Sequence, residues 1–314
     1  MPPAVTILLP SASMQRTLRL MTHDELLAYY TAPGPFTTLG PFAGQVDALP
    51  SDVGCIAKVV QGLLIHEALA PAYQVTLPPE RREEKQLHSA SAMLSRAMRL
   101  DARPLAERRP PDCRVVGVCR HFATLFAACL RRKGIPTRVR CGLANYFQPG
   151  KNVDHWVGEY WNAGEQRWVL VDAQIDEPQA KFFKPDFDVL DVPRNRFLVA
   201  GDAWAMCRSG AADPMTFGVG GTDNWGLIEV FGDLLLDLAA LQNIELLPWG
   251  WYGLAKEDGA CETEAELIER VAGLSTSANA AALDELRQIT AADPRLAVPP
   301  ETLAAIVAAE QELV

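Results

Sequence analysis

The stretch Gly117-Val118-Cys119-Arg120-His121-Phe122-Ala123 opens a run free of Gly and Pro that continues, rich in Ala, Leu and Phe, to Lys133-Gly134-Ile135-Pro136. An unbroken run of that composition predicts a helix over 119–133. Ala123, Phe126 and Leu130 fall on one face and Phe122, Leu125 and Cys129 on another, so the helix needs cover on two sides. Arg131, Arg132 and Lys133 suit the negative end of its dipole, Gly134 suits the C-cap, and Pro136 stops it. Cys119 therefore stands in the first turn, where unpaired N–H groups and the positive dipole end favour a thiolate over a thiol.

After Pro136 the period changes to two. Val139, Cys141 and Leu143 alternate with Arg138, Arg140 and Gly142, which predicts a half-buried strand over 137–146. The polar loop 148–152 leads to a second strand, 154–161, with His155, Val157 and Glu159 on one face. Asn162, Gly164 and Glu165 form a turn onto a third strand, 167–172, where Trp168, Leu170 and Asp172 share a face. Antiparallel pairing of the last two strands can set His155 beside Asp172.

Cys119, His155 and Asp172 thus occur in the order and contexts that a nucleophile, a base and an orienting carboxylate require. The plainer reading of any one is structural: a Cys in an apolar helix is usually a small buried hydrophobe, as expected for Cys129 and Cys141. A zinc set of Cys113, Cys119, His121 and Cys129 lacks the short paired spacing of such sites, so no metal is expected.

The Cys at a helix start, the R-x-x-G-I-P-x-R turn of Arg131 to Arg138, the H-W-V-x-E-Y strand from His155 and the W-V-x-V-D strand from Trp168 together resemble the transglutaminase-like superfamily, cysteine enzymes of papain-like architecture. The likeness covers roughly residues 110 to 180, in the manner of a bacterial-type transglutaminase-like domain protein. It implies an α+β fold in which the Cys-bearing helix packs on an antiparallel sheet. It also implies catalysis by Cys119, His155 and Asp172 through an acyl-enzyme. One departure matters. Animal crosslinking transglutaminases hold the oxyanion with a Trp upstream of the nucleophile, whereas the first Trp here is Trp156, downstream. Papain-like relatives use an upstream Gln, and nothing selects among Gln45, Gln61, Gln74 and Gln86. This shifts the expectation from a calcium-dependent protein crosslinker toward an amidase, peptidase or small-molecule acyltransferase.

Composition is that of a globular protein: 314 residues, 49% hydrophobic and 22% charged. Seven scattered cysteines fit reduced thiols and a cytoplasmic setting. Val5 to Leu9 lacks a basic lead, so no signal peptide is expected, and no apolar run reaches membrane-spanning length. A net charge of −10 disfavours nucleic acid as a partner and mildly favours amine-bearing ones. No P-loop, dinucleotide fingerprint, EF-hand loop or repeat occurs, so no cofactor is expected.

Three zones follow. Residues 1–105 read as mainly helical, with a capping box at Thr22 and Glu25, a helix over 55–70 carrying His66, and a charged helix over 79–100 carrying His88. Both histidines read as packing or surface residues. Residues 106–255 hold the catalytic core, within which 186–251 is punctuated by Trp and Gly. Trp204 there is expected to wall a cleft, with Trp225, Trp249 and Trp251 left open. Residues 256–314 read as helical, with a second capping box at Thr263 and Glu266 and two further helices.

The expected chemistry is cysteine-dependent transfer of an acyl group to an amine acceptor, or hydrolysis of an amide, ester or thioester, by a Cys119 whose pKa is lowered by the helix end and the imidazolium. The alternative is a non-catalytic binding module of the same fold. Substrate and oligomeric state are not fixed by the sequence.

Overall fold

The computed structural model describes residues 20–313, so Val5 to Leu9 lies outside the described part. Helix α1 (His23–Thr31) begins at the expected capping box: Glu25 N–H donates to Thr22 Oγ1, and Thr22 N–H donates to the Glu25 carboxylate at 2.8 Å. The expected helix over 55–70 is corrected. After α2 (Ala43–Asp47), helix α3 (Val53–Leu63) ends early and the chain extends as β1 (Leu64–His66), followed by a 3₁₀ segment at Glu67–Tyr73. Leu63, Leu64 and Ile65 are all buried. A run buried on every side suits a paired strand better than a one-striped helix. The expected helix over 79–100 is likewise two pieces, a 3₁₀ segment at Pro79–Gln86 and α4 (Ala90–Leu100). Ser89 caps α4, its Oγ accepting from Ala92 N–H at 3.1 Å, and His88 lies in the break.

The central zone follows the sequence closely. Strand β2 (Val115–Gly117) runs parallel to β1, with His66 opposite Gly117. Helix α5 (Cys119–Arg132) follows, buried from Cys119 to Arg131, and ends at Lys133 with Gly134 at φ +74°. Its two apolar sides join different cores. Ala123 and Ala127 pack with the later helices, whereas Phe122, Leu125, Phe126, Cys129 and Leu130 pack with α3 and α4. Phe126 and Leu130 therefore side with Phe122, unlike the expected division. Strands β3 (Thr137–Ala144), β4 (Asn152–Asn162) and β5 (Arg167–Val171) form an antiparallel meander, and α5 packs against β3 and β4. The approach is close: a Cβ on Gly158 would lie 2.5 Å from Phe126 Cδ1.

Residues 186–251 hold more order than their sequence suggests. Beyond α6 (Glu177–Phe183), strand β6 (Phe197–Val199) pairs with β3, α7 (Ala200–Arg208) follows, β7 (Phe217–Gly218) pairs with the start of β4, and α8 (Leu227–Leu241) packs on β3. The sheet order is β5-β4-β3-β6. Trp204 of α7 is buried in the core against Phe231, which corrects its expected place on a cleft wall. Buried charges tie this layer together. Arg140 donates to both oxygens of Asp237 at 3.0 and 2.8 Å and to Glu159, which also accepts from Arg138 at 2.6 Å.

The C-terminal zone contains a one-turn α9 (Ala260–Thr263) and then α10 (Ala265–Ser277), followed by α11 (Ala280–Ala292) and α12 (Pro300–Leu313), the two further helices expected. The second capping box does not form. Thr263 closes α9, its hydroxyl donating to Gly259 O at 3.1 Å, and α10 starts without a side-chain cap. Glu310 of α12 accepts the N–H groups of His88 and Ser89, at 2.6 and 2.7 Å, so the last helix docks on the start of α4. The architecture is α+β: a helix packed on an antiparallel sheet with helical regions at its flanks. Among the described residues, no helix is long and apolar enough to cross a membrane.

Candidate active site

The hairpin of β4 and β5 places His155 and Asp172, both buried. Gly158 pairs with Val171, and Asp172 then leaves the ladder, its N–H donating to Val189 O at 2.8 Å. Freed from strand pairing, its carboxylate reaches back so that Oδ2 lies 2.9 Å from His155 Nε2. Two further groups hold it: Tyr146 OH donates to Oδ2 at 2.8 Å, and Gln174 N–H donates to Oδ1 at 3.0 Å. Burial works to raise the Asp172 pKa, but the charge and hydrogen bond of His155, with the Tyr146 and Gln174 donors, outweigh it and hold the carboxyl below its ordinary value. The ionised carboxylate therefore selects the tautomer with hydrogen on Nε2 and leaves Nδ1 for other chemistry.

Aromatic edges fix the imidazole. Phe147 lies 4.7 Å from the His155 ring centre, Tyr146 6.1 Å and Phe197 6.3 Å, all near T-shaped. Phe183 and Phe187 support Phe147 and Tyr146 in turn. Neither Tyr146 nor Gln174 stood out in the sequence. Tyr146 was only the end of an alternating run, and its role depends on a carboxylate 26 residues away.

Cys119 is the first residue of α5, after an extended Val118 at φ −123° and ψ 177°. His121 closes this helix start, its Nδ1 accepting from Val118 N–H at 3.1 Å. Gly117 is required here, because a Cβ would lie 2.8 Å from the His121 ring. The expected depression of the Cys119 pKa is not found. Burial pushes the thiol well above its ordinary value, Asp154 and Asp172 add to the rise, and the backbone N–H groups of Trp156 and Arg120 oppose it without prevailing. A helix start cannot repay the cost of a thiolate in an interior this dry.

Around the sulfur the carboxyl groups are also perturbed. Asp154, next to His155 in sequence, is raised to about 6 by burial, with His155 opposing and Glu229 adding. Asp233 is pushed well above its ordinary value by burial and by Asp154, and its Oδ1 accepts from Cys141 Sγ at 3.5 Å. The structure thus joins His155 to Asp172 directly and gathers Cys119, Asp154 and Trp156 at the start of α5. Among the described residues, no hydrogen bond links the Cys119 sulfur to the His155 ring.

Residues 103–173 match the core model of the transglutaminase-like superfamily. Over that segment the chain is similar to a transglutaminase-like core. The matched segment runs from ahead of β2 to just past Asp172 and contains all three expected site residues. A solved structure from Cytophaga hutchinsonii, named as a candidate cysteine protease, overlays on 56% of this chain with 18% identity and a TM-score of 0.33. The overlay spans 48% of that protein, about half its length, and is too loose to assign anything. No curated protein matches the chain.

Proposed function

We propose that the transglutaminase-like core catalyses cysteine-dependent acyl transfer, or hydrolysis of an amide, ester or thioester, with Cys119 as nucleophile, His155 as base and Asp172 orienting the base. The observation that carries this reading is the buried bond between His155 Nε2 and Asp172 Oδ2, 2.9 Å long, on a strand next to the helix start that bears Cys119. A histidine held by its Nε2 has Nδ1 as its one remaining site for taking a proton.

Burial favours the neutral thiol at Cys119. As Cys119 Sγ attacks the acyl carbonyl, His155 Nδ1 takes the thiol proton, and Asp172 stabilises the imidazolium. Collapse of the tetrahedral species breaks the bond to the amine, alcohol or thiol leaving group, which takes that proton and departs. The acyl-thioester is then resolved by water or by an amine, each deprotonated by His155 as it attacks.

p-Nitrophenyl acetate tests the reading. One acetyl group should appear on Cys119 by peptide mass, with matching release of p-nitrophenolate, and Cys119→Ala should abolish both. Acetylation at wild-type rate in that variant would remove the nucleophile and the mechanism with it.

A further inference from the structure

Attack on an acyl carbonyl leaves negative charge on oxygen, and preorganised donors at that oxygen are usually the largest single contribution to such catalysis. The Cys119 N–H, at the first position of α5, can supply one donor. Among the described residues, none of the upstream glutamines makes a hydrogen bond to Cys119. Gln61 Nε2 donates to Ile175 O at 3.1 Å, Gln86 Oε1 accepts from Trp249 at 3.2 Å, and Gln45 and Gln74 are exposed.

We propose that the Nε2–H of His66 is the second oxyanion donor at Cys119, a role that rests on the acyl-transfer reading above. Three observations support this. First, β1 and β2 run parallel and end together, with His66 opposite Gly117, so the imidazole leaves its strand where the partner strand turns into Cys119. Second, His66 Nδ1 accepts the Ala68 N–H at 3.2 Å. A ring nitrogen that accepts carries no hydrogen, so in the neutral imidazole the proton sits on Nε2. Third, Nε2 has no protein acceptor among the described residues, and His66 is only half-buried. His121 is the contrast. Its Nδ1 accepts in the same manner, but its Nε2 is sealed in the interior, out of reach of any substrate.

The charge state agrees with this geometry. Although the residue as a whole is half-buried, the ring is set deep among neighbouring groups, and this desolvation first and the nearby His155 second lower the His66 pKa, with Asp172 opposing. At neutral pH the ring is therefore an uncharged donor that does not compete with His155 for the Cys119 proton. A neutral imidazole polarising a carbonyl is an established device in enzymes.

Acylation can be separated from simple thiol reactivity, because alkylation by iodoacetamide passes through no oxyanion. Wild type, His66→Phe and His66→Gln would be compared at one pH for the rate of Cys119 acetylation by p-nitrophenyl acetate and of Cys119 alkylation by iodoacetamide. His66→Phe keeps a ring of similar size without a donor, and His66→Gln restores an amide donor of similar reach. The expected result is a fall of about 10²–10³-fold in acetylation for His66→Phe, the usual effect of removing one oxyanion donor, with alkylation near the wild-type rate and recovery of much of the loss in His66→Gln. Wild-type acetylation in His66→Phe, a parallel loss of alkylation, or equal defects in the two variants would each overturn the proposal. A wild-type protein that alkylates but never acetylates at Cys119 would take down the acyl-transfer reading too, and it would do so before any change at His66.

Discussion

His155 and Asp172 meet through Nε2 and Oδ2, 2.9 Å apart in a buried site, and the same carboxylate oxygen also accepts from Tyr146 OH. The pair fixes which imidazole nitrogen is free. Asp172→Asn would keep the shape but remove the charge that selects this tautomer and stabilises the imidazolium. The rate of Cys119 acetylation should fall by roughly 10³–10⁴, as loss of the equivalent carboxylate does in the serine-protease example. Near-wild-type acetylation would remove Asp172 from the mechanism.

Tyr146→Phe deletes one donor to a buried ionised carboxylate while leaving the aromatic packing against His155 in place. Hydrogen bonds to charged groups contribute about 1.5–3 kcal/mol. Urea denaturation at neutral pH should show a loss in that range, and the Asp172 pKa should rise because one of its lowering contacts is gone. An unchanged urea midpoint would mean that the phenol does not hold the carboxylate.

The central helix and the three antiparallel strands were legible because each carries its own period: 119–132 has no breaker, and 137–171 alternates between turn residues. His155 and Asp172 came with them, since a hairpin relates its two strands locally. Features that depend on distant pairing were not legible. The change from helix to strand at Leu64 follows from pairing with Val115, and His66 acquires meaning only opposite Gly117. Trp204 looked like a loop residue until α7 packed on α8. The rise of the Cys119 pKa is hidden for a related reason: sequence places the thiol at a helix start, but how dry that start is depends on every element packed around it.

Glu159 gives a pH-dependent stability test. Burial works to raise its pKa, but the Arg138 and Arg140 charges dominate and lower it from 4.5 to about 2. Its stabilisation is therefore complete above the unfolded value and is lost as pH falls through the folded one. The difference corresponds to about 3 kcal/mol at neutral pH. Glu159→Gln should be less stable than wild type at pH 7, and the gap between their urea midpoints should narrow steadily as the pH is lowered below the usual carboxylate range. A gap independent of pH would show that Glu159 acts through packing alone.

Gly142 sits at the crossing of both ladders, paired with His155 on one side and Val199 on the other. A Cβ there would lie 2.1 Å from Leu198 O and 2.9 Å from Val199 Cα. These are backbone atoms, so no side-chain rotation relieves the clash, and β6 must move away from β3. Gly142→Ala should cost about 1–3 kcal/mol, the range for overpacking a filled interior. It should also slow Cys119 acetylation, because the strand that holds His155 is displaced at its paired position. Gly273 provides the control. It lies in α10 at negative φ with nothing within 4 Å of a built Cβ, so Gly273→Ala should leave acetylation unchanged and stabilise the protein by about 0.5–1 kcal/mol. If Gly142→Ala matched wild type in both urea midpoint and acetylation rate while Gly273→Ala behaved as expected, the tight contact between β3 and β6 would not exist in solution, and the placement of His155 against that edge would have to be redrawn.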